Sequence, residues 1–238
     1  MTTLPSPLSG PVHDAVASAP VALRRGRTAA LAAWLALAGF AAIFGIVRAR
    51  RSQAIDLAVT LKFQQRRRPA LDGLMRAVSW PGFPPQSRLI PAVVALGWLL
   101  SRLPLEAAFA LAAWGTAIVA SVVKAVMRRP RPIAGVDVRV AAAPLGGSSF
   151  PSGHTITYVG VYGFLAYLLH TLVRPAGWRR ATVALLVGMI ALVGPSRIQQ
   201  GHHWFTDVSA SYLLGLAYLI GLTSLYRRVK AWRTGVQP

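Results

Sequence analysis

Twenty uncharged residues run from Thr28 to Val47, between Arg24-Arg25-Gly26-Arg27 and Arg48-Ala49-Arg50-Arg51. As a helix, such a run measures about 30 Å, the thickness of a bilayer's hydrocarbon core. It ends in Arg-Ala-Arg-Arg instead of a small-x-small cleavage site, so a retained helix is expected and not a signal peptide. Further apolar runs lie at 85–101 and 105–123, separated by Ser101-Arg102-Leu103-Pro104. Three more follow: 153–173, a run centred on 181–194 with Trp178 as an interfacial anchor, and 208–226, which Arg227, Arg228, Lys230 and Arg233 stop. Residues 52–80 differ. There Ile55, Leu57, Val59, Leu61 and Phe63 alternate with Asp56 and Lys62, and Leu71, Leu74, Met75 and Val78 recur at helical spacing after Arg66-Arg67-Arg68-Pro69. This pattern predicts two amphipathic helices at the membrane surface with their arginine heads among the lipid headgroups. Residues 1–23, rich in Ala, Pro and Ser, show no period and read as a mobile tail. The expected fold is all-α: a polytopic membrane protein with six transmembrane helices and amphipathic interfacial helices after the first. Residues 24–238 would form one domain.

Composition sharpens this picture. Of 238 residues, 54% are hydrophobic and 13% charged, about half the charged share of a soluble domain. The 26 basic and 6 acidic residues leave a formal charge of +20. Such an excess suits nucleic acid or anionic lipid, but the basic residues bracket apolar runs and no aromatic ladder accompanies them. No nucleic-acid partner is expected. Cysteine is absent, which excludes disulfides, thiolate nucleophiles and Cys-ligated metal. Histidine chemistry must draw on His13, His154, His170, His202 and His203.

Polar residues gather at span ends. Lys124, Arg128, Arg129 and Arg131 follow the third run, and Pro151-Ser152-Gly153-His154 opens the fourth. Ser196-Arg197 follows the fifth, and His203 and Asp207 open the sixth. Because spans alternate direction, these four ends share one membrane face. Lys124 and Arg131, two helical turns apart, suit a multiply charged anion or simply anchor a helix end. Pro-Ser-Gly-His reads as a helix start whose free N–H groups attract an anion, or as a serine-capped helix with an interfacial histidine. His203 and Asp207, four apart, would be neighbours on a helix, with the acid fixing the imidazole tautomer. The adjacent His202 invites a metal reading, but no carboxylate or cysteine cluster completes one. Glu106 falls in the first turn of the third helix, where the dipole favours an acid.

Together, Lys124-x6-Arg131-Pro132, Pro151-Ser152-Gly153-His154 and Ser196-Arg197-x5-His203-x3-Asp207 resemble the three-part signature of the type-2 phosphatidate phosphatase superfamily. That group includes lipid phosphate phosphatases, undecaprenyl-diphosphatases, phosphatidylglycerophosphatases and vanadium haloperoxidases. The resemblance covers about residues 105–226. It implies that Lys124, Arg131 and Arg197 bind the phosphoryl oxygens, with Ser152 and the Gly153 amide adding hydrogen bonds. His203 would attack phosphorus, Asp207 would hold His203, and His154 would protonate the leaving oxygen and then activate water. No metal and no cofactor is implied. The stretch Gln199-Gln200-Gly201-His202 before the nucleophile is a local departure that bears on substrate fit.

The expected activity is hydrolysis of a lipid phosphate or diphosphate: an isoprenoid diphosphate, phosphatidate or phosphatidylglycerol phosphate. Its partners would be the lipid substrate and the bilayer, with no obligate protein partner. A phosphotransferase would use the same phosphohistidine. A haloperoxidase is disfavoured by the spans, and a transporter by a charged cluster at one face instead of midplane. The segment 133–150, with Gly135, Gly146 and Gly147, is expected to overlie the site. Charge counting gives eleven basic residues on the face of the termini and fifteen on the other. Applied blindly, that count puts the catalytic face inside, whereas the resemblance implies an outward site in a bacterial inner membrane.

Overall fold

The computed structural model describes residues 12–65, 68–134, 138–140, 146–173 and 176–235. Every described element is helical: α1 (Val12–Arg48), α2 (Gln53–Gln64), α3 (Pro69–Ser79), α4 (Gln86–Leu100), α5 (Pro104–Ala113), α6 (Thr116–Met127), α7 (Gly153–Thr157), α8 (Gly163–Leu172), α9 (Ala176–Gln199) and α10 (Phe205–Thr234). A single π turn, Tyr158–Tyr162, joins α7 to α8, so the chain is helical from Gly153 to Leu172. Helix α1 begins at Val12, inside the stretch read as a tail; residues 1–11 lie outside the described residues.

Five helices are long and apolar enough to cross a membrane: Gly26–Arg48, Pro104–Met127, Gly153–Leu172, Ala176–Gln199 and Phe205–Thr234. The sixth expected span is shorter. Helix α4 has 15 residues, about 22 Å against a core of about 30 Å. Its start is displaced by the tight turn Trp80–Gly82 and by Pro84 and Pro85, and its end by Arg102, which takes the left-handed conformation (φ 60°). The third span is interrupted at Trp114-Gly115, between α5 and α6.

The outer faces of these helices are apolar. Leu31, Trp34 and Leu35 on α1, Leu89, Val93, Leu96 and Leu100 on α4, and Ile118, Val122 and Val126 on α6 are all exposed. The i, i+4, i+8 spacing of the α6 trio makes a continuous stripe. In water such area would drive association; against lipid tails it is the favourable surface. The protein is an integral membrane protein. Inside, α1 packs along α10, α4 against α5, α3 and α8 against α9, and α7 against α6 and α10.

Helix α2 is amphipathic, as expected, and turns its polar side inward. Asp56, Thr60 and Gln64, one turn apart, are buried, whereas Ile55, Leu57 and Phe63 are exposed. The polar stripe faces the protein, because buried polar groups there find partners. Gln64 Nε2 donates to the carbonyls of Arg139 (2.8 Å) and Gln199 (3.1 Å), and its Oε1 accepts Arg139 N–H (2.9 Å). Gly201, at φ +69°, allows this docking, since a Cβ there would run into the Arg139 carbonyl. At the other membrane end Glu106 does lie in the first turn of α5. It is also buried and accepts hydrogen bonds from Tyr226 Oη and Lys230 Nζ, both at 2.8 Å, which tie α5 to α10.

Candidate active site

Lys124 ends α6, Ser152 caps α7, Arg197 closes α9, and His203 stands just before α10. The structure brings these ends to one face, as alternation of the spans requires. Helix α9 runs on through Pro195 to Gln199, so Arg197 is placed by a helix and not by a loop.

His203 is presented by the backbone. Its Nδ1 lies 2.8 Å from the Ser149 carbonyl oxygen. A carbonyl only accepts, so Nδ1 carries the proton and Nε2 keeps its lone pair. Arg131 Nη1 stands 3.2 Å from that Nε2 and donates to the His202 carbonyl at 2.8 Å. Lys124 Nζ and Arg131 Nη2 both reach the Ser148 carbonyl, at 2.8 and 3.3 Å. The two cations therefore converge on the Ser148 carbonyl, and Arg131 also faces the unprotonated Nε2 of His203. Burial, then the charges of Arg197, Arg131 and Lys124, hold His203 well below the ordinary histidine range, so it stays unprotonated.

The expected pairing of His203 with Asp207 is looser than the spacing suggested. His203 precedes α10, and its Nδ1 is 3.5 Å from Asp207 Oδ2, farther than from Ser149. Asp207 is fully buried and its oxygens are engaged elsewhere: Oδ2 accepts the Trp204 N–H at 2.9 Å, and Oδ1 meets Arg129 Nη1 at 2.5 Å. Arg129 also meets Asp56 Oδ2 at 2.5 Å and donates to Ser52 Oγ and Thr206 Oγ1. One buried guanidinium thus bridges α2 to the first turn of α10. Sequence reasoning missed this network. The available signal was the scarcity of acids: with 6 in the chain, one inside an apolar helix wants a partner.

Ser152 Oγ accepts from Thr155 N (3.4 Å) and Thr155 Oγ1 (3.0 Å), so it caps the helix. Its own proton is left for a further acceptor. Its backbone N–H donates to Ser211 Oγ at 2.7 Å. Of segment 133–150, Ser148 and Ser149 reach the site through their carbonyls; residues 135–137, with Gly135, and 141–145 lie outside the described residues.

The remaining wall comes from the turn after α3. Phe83 packs edge-on against His154 (4.6 Å between ring centroids), and the Arg197 guanidinium lies 4.9 Å from the Phe83 centroid. Among the described residues three buried side-chain polar atoms have no partner: His154 Nε2, Arg197 Nε and His202 Nε2. Buried groups left open in this way call for a ligand or a function. A cavity of about 310 Å³ opens beside His154. Lys124, Gly153 and His154 lie at one end, and Trp114, Val161 and Tyr162 at the other. From Trp114 to Lys124 along the third span is about 15 Å, so the cavity leads from Lys124 toward the apolar depth. Among the described residues no three His, Asp or Glu side chains gather to hold a metal ion.

Gly82 bears directly on His154. A Cβ there would overlap the His154 ring. We expect Gly82→Ala to lower kcat by about 10²-fold, as for a catalytic group displaced by an ångström, with a smaller change in KM; steady-state assay in detergent checks this.

Residues 103–231 match the PAP2 superfamily model. The chain belongs to the PAP2 superfamily. Phosphatidylglycerophosphatase B of Bacillus subtilis is 29% identical over 188 residues, covering 76% of this chain and 88% of that one. The bacitracin transport permease protein BcrC of Bacillus licheniformis is 34% identical over 96 residues, 35% of this chain and 42% of its own. Among solved structures, the transmembrane PAP2-type phosphatidylglycerolphosphate phosphatase of Bacillus subtilis superposes with a TM-score of 0.73 at 23% identity, over 83% of this chain and 96% of that one. LpxE of Aquifex aeolicus gives 0.56 at 22% identity, over 71% and 95%. Both share the fold. The PAP2 match takes in Lys124, Arg131, Ser152, Gly153, His154, Arg197, His203 and Asp207.

Proposed function

We propose that this PAP2 protein hydrolyses a lipid phosphate through a phosphohistidine formed on His203. Its membership of a superfamily whose relatives are named as phosphatases supports a lipid phosphatase. The observation that carries the mechanism is the geometry of His203: Nδ1 tied to a carbonyl, Nε2 unprotonated and faced by Arg131.

In the first step the Nε2 lone pair attacks phosphorus, an N–P bond forms and the P–O bond to the lipid breaks. His154 donates its Nε2 proton to the leaving oxygen. Lys124, Arg131 and Arg197 gather the phosphoryl oxygens, with Arg131 turning from its carbonyl partners onto the substrate, and the Ser152 hydroxyl and Gly153 N–H complete the cradle. In the second step His154 takes a proton from water as the water oxygen attacks phosphorus. The N–P bond breaks and inorganic phosphate leaves. Asp207 acts by holding the start of α10, and with it His203, against Arg129.

The cavity walled by α4, α6 and α7 takes the lipid's apolar chain while its phosphate sits at the cations. Phosphatidylglycerol phosphate is the first substrate to try, given the name of the relative spanning most of the chain. Phosphatidate and isoprenoid diphosphates complete the panel. We take residues 24–238 as one catalytic domain. We place the active end on the outer side of a bacterial inner membrane, as the family resemblance implies. The native chain has no cysteine, so single cysteines introduced at Arg128 or Arg228 and probed in whole cells with a membrane-impermeant maleimide will decide the side.

The decisive assay uses the purified full chain in mixed micelles with excess chelator. Phosphate release that persists, and is blocked by orthovanadate, is the expected result. Strict dependence on a divalent ion overturns the mechanism, and transfer to an added alcohol in preference to water makes the protein a phosphotransferase.

A further inference from the structure

We infer that His202, the residue before the proposed nucleophile, is a positioning residue of the phosphate site. Its neutral imidazole aims the Arg197 guanidinium while leaving that group's positive charge uncompensated. The inference rests on the reading of Arg197 as a phosphoryl-binding cation.

Two arginines of this face, Arg129 largely and Arg197 fully buried, are held in opposite ways. Arg129 meets two carboxylates, Asp56 and Asp207, so its charge is spent inside the protein. Arg197 is fully buried yet meets no carboxylate among the described residues. Its Nη2 hydrogen-bonds His202 Nδ1, its Nη1 donates to Gln200 Oε1 at 3.3 Å, and its face lies over Phe83. Gln200 is itself fixed, by donating to the Met75 carbonyl and to Ser79 Oγ, both at 3.0 Å. Every one of these partners is neutral. A carboxylate in place of His202 would hold Arg197 more strongly, but it would cancel the field an incoming phosphate needs.

The tautomer follows from the partner. An arginine N–H only donates, so Nδ1 of His202 must be bare and the proton must sit on Nε2. Burial, then the charges of Arg197 and Arg131, pull His202 down to about 4, which keeps it neutral at physiological pH. The same residue reaches the second guanidinium, because its backbone carbonyl accepts Arg131 Nη1 at 2.8 Å. Its Nε2 is buried without a partner. A histidine kept only for stability would satisfy both ring nitrogens, since an unmet buried donor costs free energy. The arrangement sacrifices one nitrogen so that the other can face Arg197.

The test compares three variants of the full chain in detergent, reading inhibition by orthovanadate, KM and kcat, and thermal stability. His202→Asn keeps an acceptor near the Nδ1 position without charge; its vanadate inhibition is expected within about threefold of wild type. His202→Leu removes the acceptor and is expected to weaken vanadate inhibition by about tenfold or more, the loss typical of a hydrogen bond to a charged group, with KM rising more than kcat falls. His202→Asp supplies a stronger partner for Arg197, so a purely structural role predicts a stable and fully competent enzyme. The inference predicts a stable enzyme whose vanadate inhibition is weakened at least as much as in His202→Leu. Wild-type inhibition in His202→Asp or in a folded His202→Leu overturns it. Should His202→Leu fail to fold, the Asn–Asp comparison decides alone. His203→Ala is run alongside: loss of turnover there upholds the parent reading independently of His202, and retained turnover overturns that reading whatever the His202 variants do.

Discussion

Replacing His203 by alanine is expected to lower phosphate release by about 10⁴-fold or more, the scale on which enzymes lose activity with their nucleophile. The variant should purify and elute as the wild type does. The His203 side chain hydrogen-bonds only the Ser149 carbonyl and Arg131 Nη1 among the described residues, and Arg131 keeps the His202 and Ser148 carbonyls as partners without it. Rapid quenching of the wild-type enzyme with ³²P-labelled substrate should trap acid-labile, base-stable label on the protein, and His203→Ala should trap none. Label that persists in the variant places the covalent bond elsewhere. The pH dependence adds a check with a definite sign. Because burial and three neighbouring cations depress its proton affinity, His203 remains a free base as pH falls through the ordinary histidine range near 6.5. Loss of kcat/KM through protonation of the nucleophile should therefore come at lower pH than for an unperturbed histidine. An acid limb assigned to His203 at or above 6.5 contradicts the buried setting seen here.

The second large effect falls on stability. Arg129→Gln should destabilise the fold by about 3–5 kcal/mol, the cost of breaking a buried ion pair by removing one partner. The mechanism is the exposure of two carboxylates to each other. Asp56 is 1% and Asp207 0% accessible, and Arg129 separates and neutralises both. Loss of the arginine leaves two like charges in a dry environment, and α2 loses its hold on α10. The double variant Arg129→Gln/Asp56→Asn should recover part of the loss, because it removes one of the uncompensated charges. Thermal or denaturant unfolding in detergent measures both. Strict additivity of the two substitutions would show that the residues do not interact. Activity should fall along with stability, since Asp207 and the Trp204 N–H it accepts set the start of α10 beside His203.

Much of this molecule was legible in one dimension. Hydrophobic run length identifies membrane-spanning helices because a bilayer imposes a fixed thickness, and five of the expected runs are helices of sufficient length. Alternation of spans then brings Lys124, Ser152, Arg197 and His203 to one face without any knowledge of packing. Residues 85–101 do form an apolar helix, Gln86–Leu100, but one too short for its length alone to establish a sixth crossing. Apolar composition there matched a span, but Pro84, Pro85 and the left-handed Arg102 cut the helix to 15 residues. Which face of α2 turns toward the protein was not readable from spacing. Amphipathic spacing shows that two faces differ, not which one meets the protein, and at a membrane surface the apolar face has a second solvent to choose.

The site shows the same division. The sequence by itself determined which chemical groups are available: five histidines, no cysteine, six acids, and a short set of cations and small residues at span ends. It also determined that they meet, through the order and length of the spans. Only the tertiary structure decided who holds whom. The partner of His203 Nδ1 is a backbone carbonyl, which every residue carries and no side-chain motif can specify. Arg129 and Arg197 are identical as letters. One is neutralised by Asp56 from a helix 73 residues away, and the other is held by neutral His202 and Gln200. That difference separates a cation spent inside the protein from one left uncompensated for the phosphate role proposed for Arg197. It comes from long-range packing and the cost of burying charge, which residue spacing does not encode.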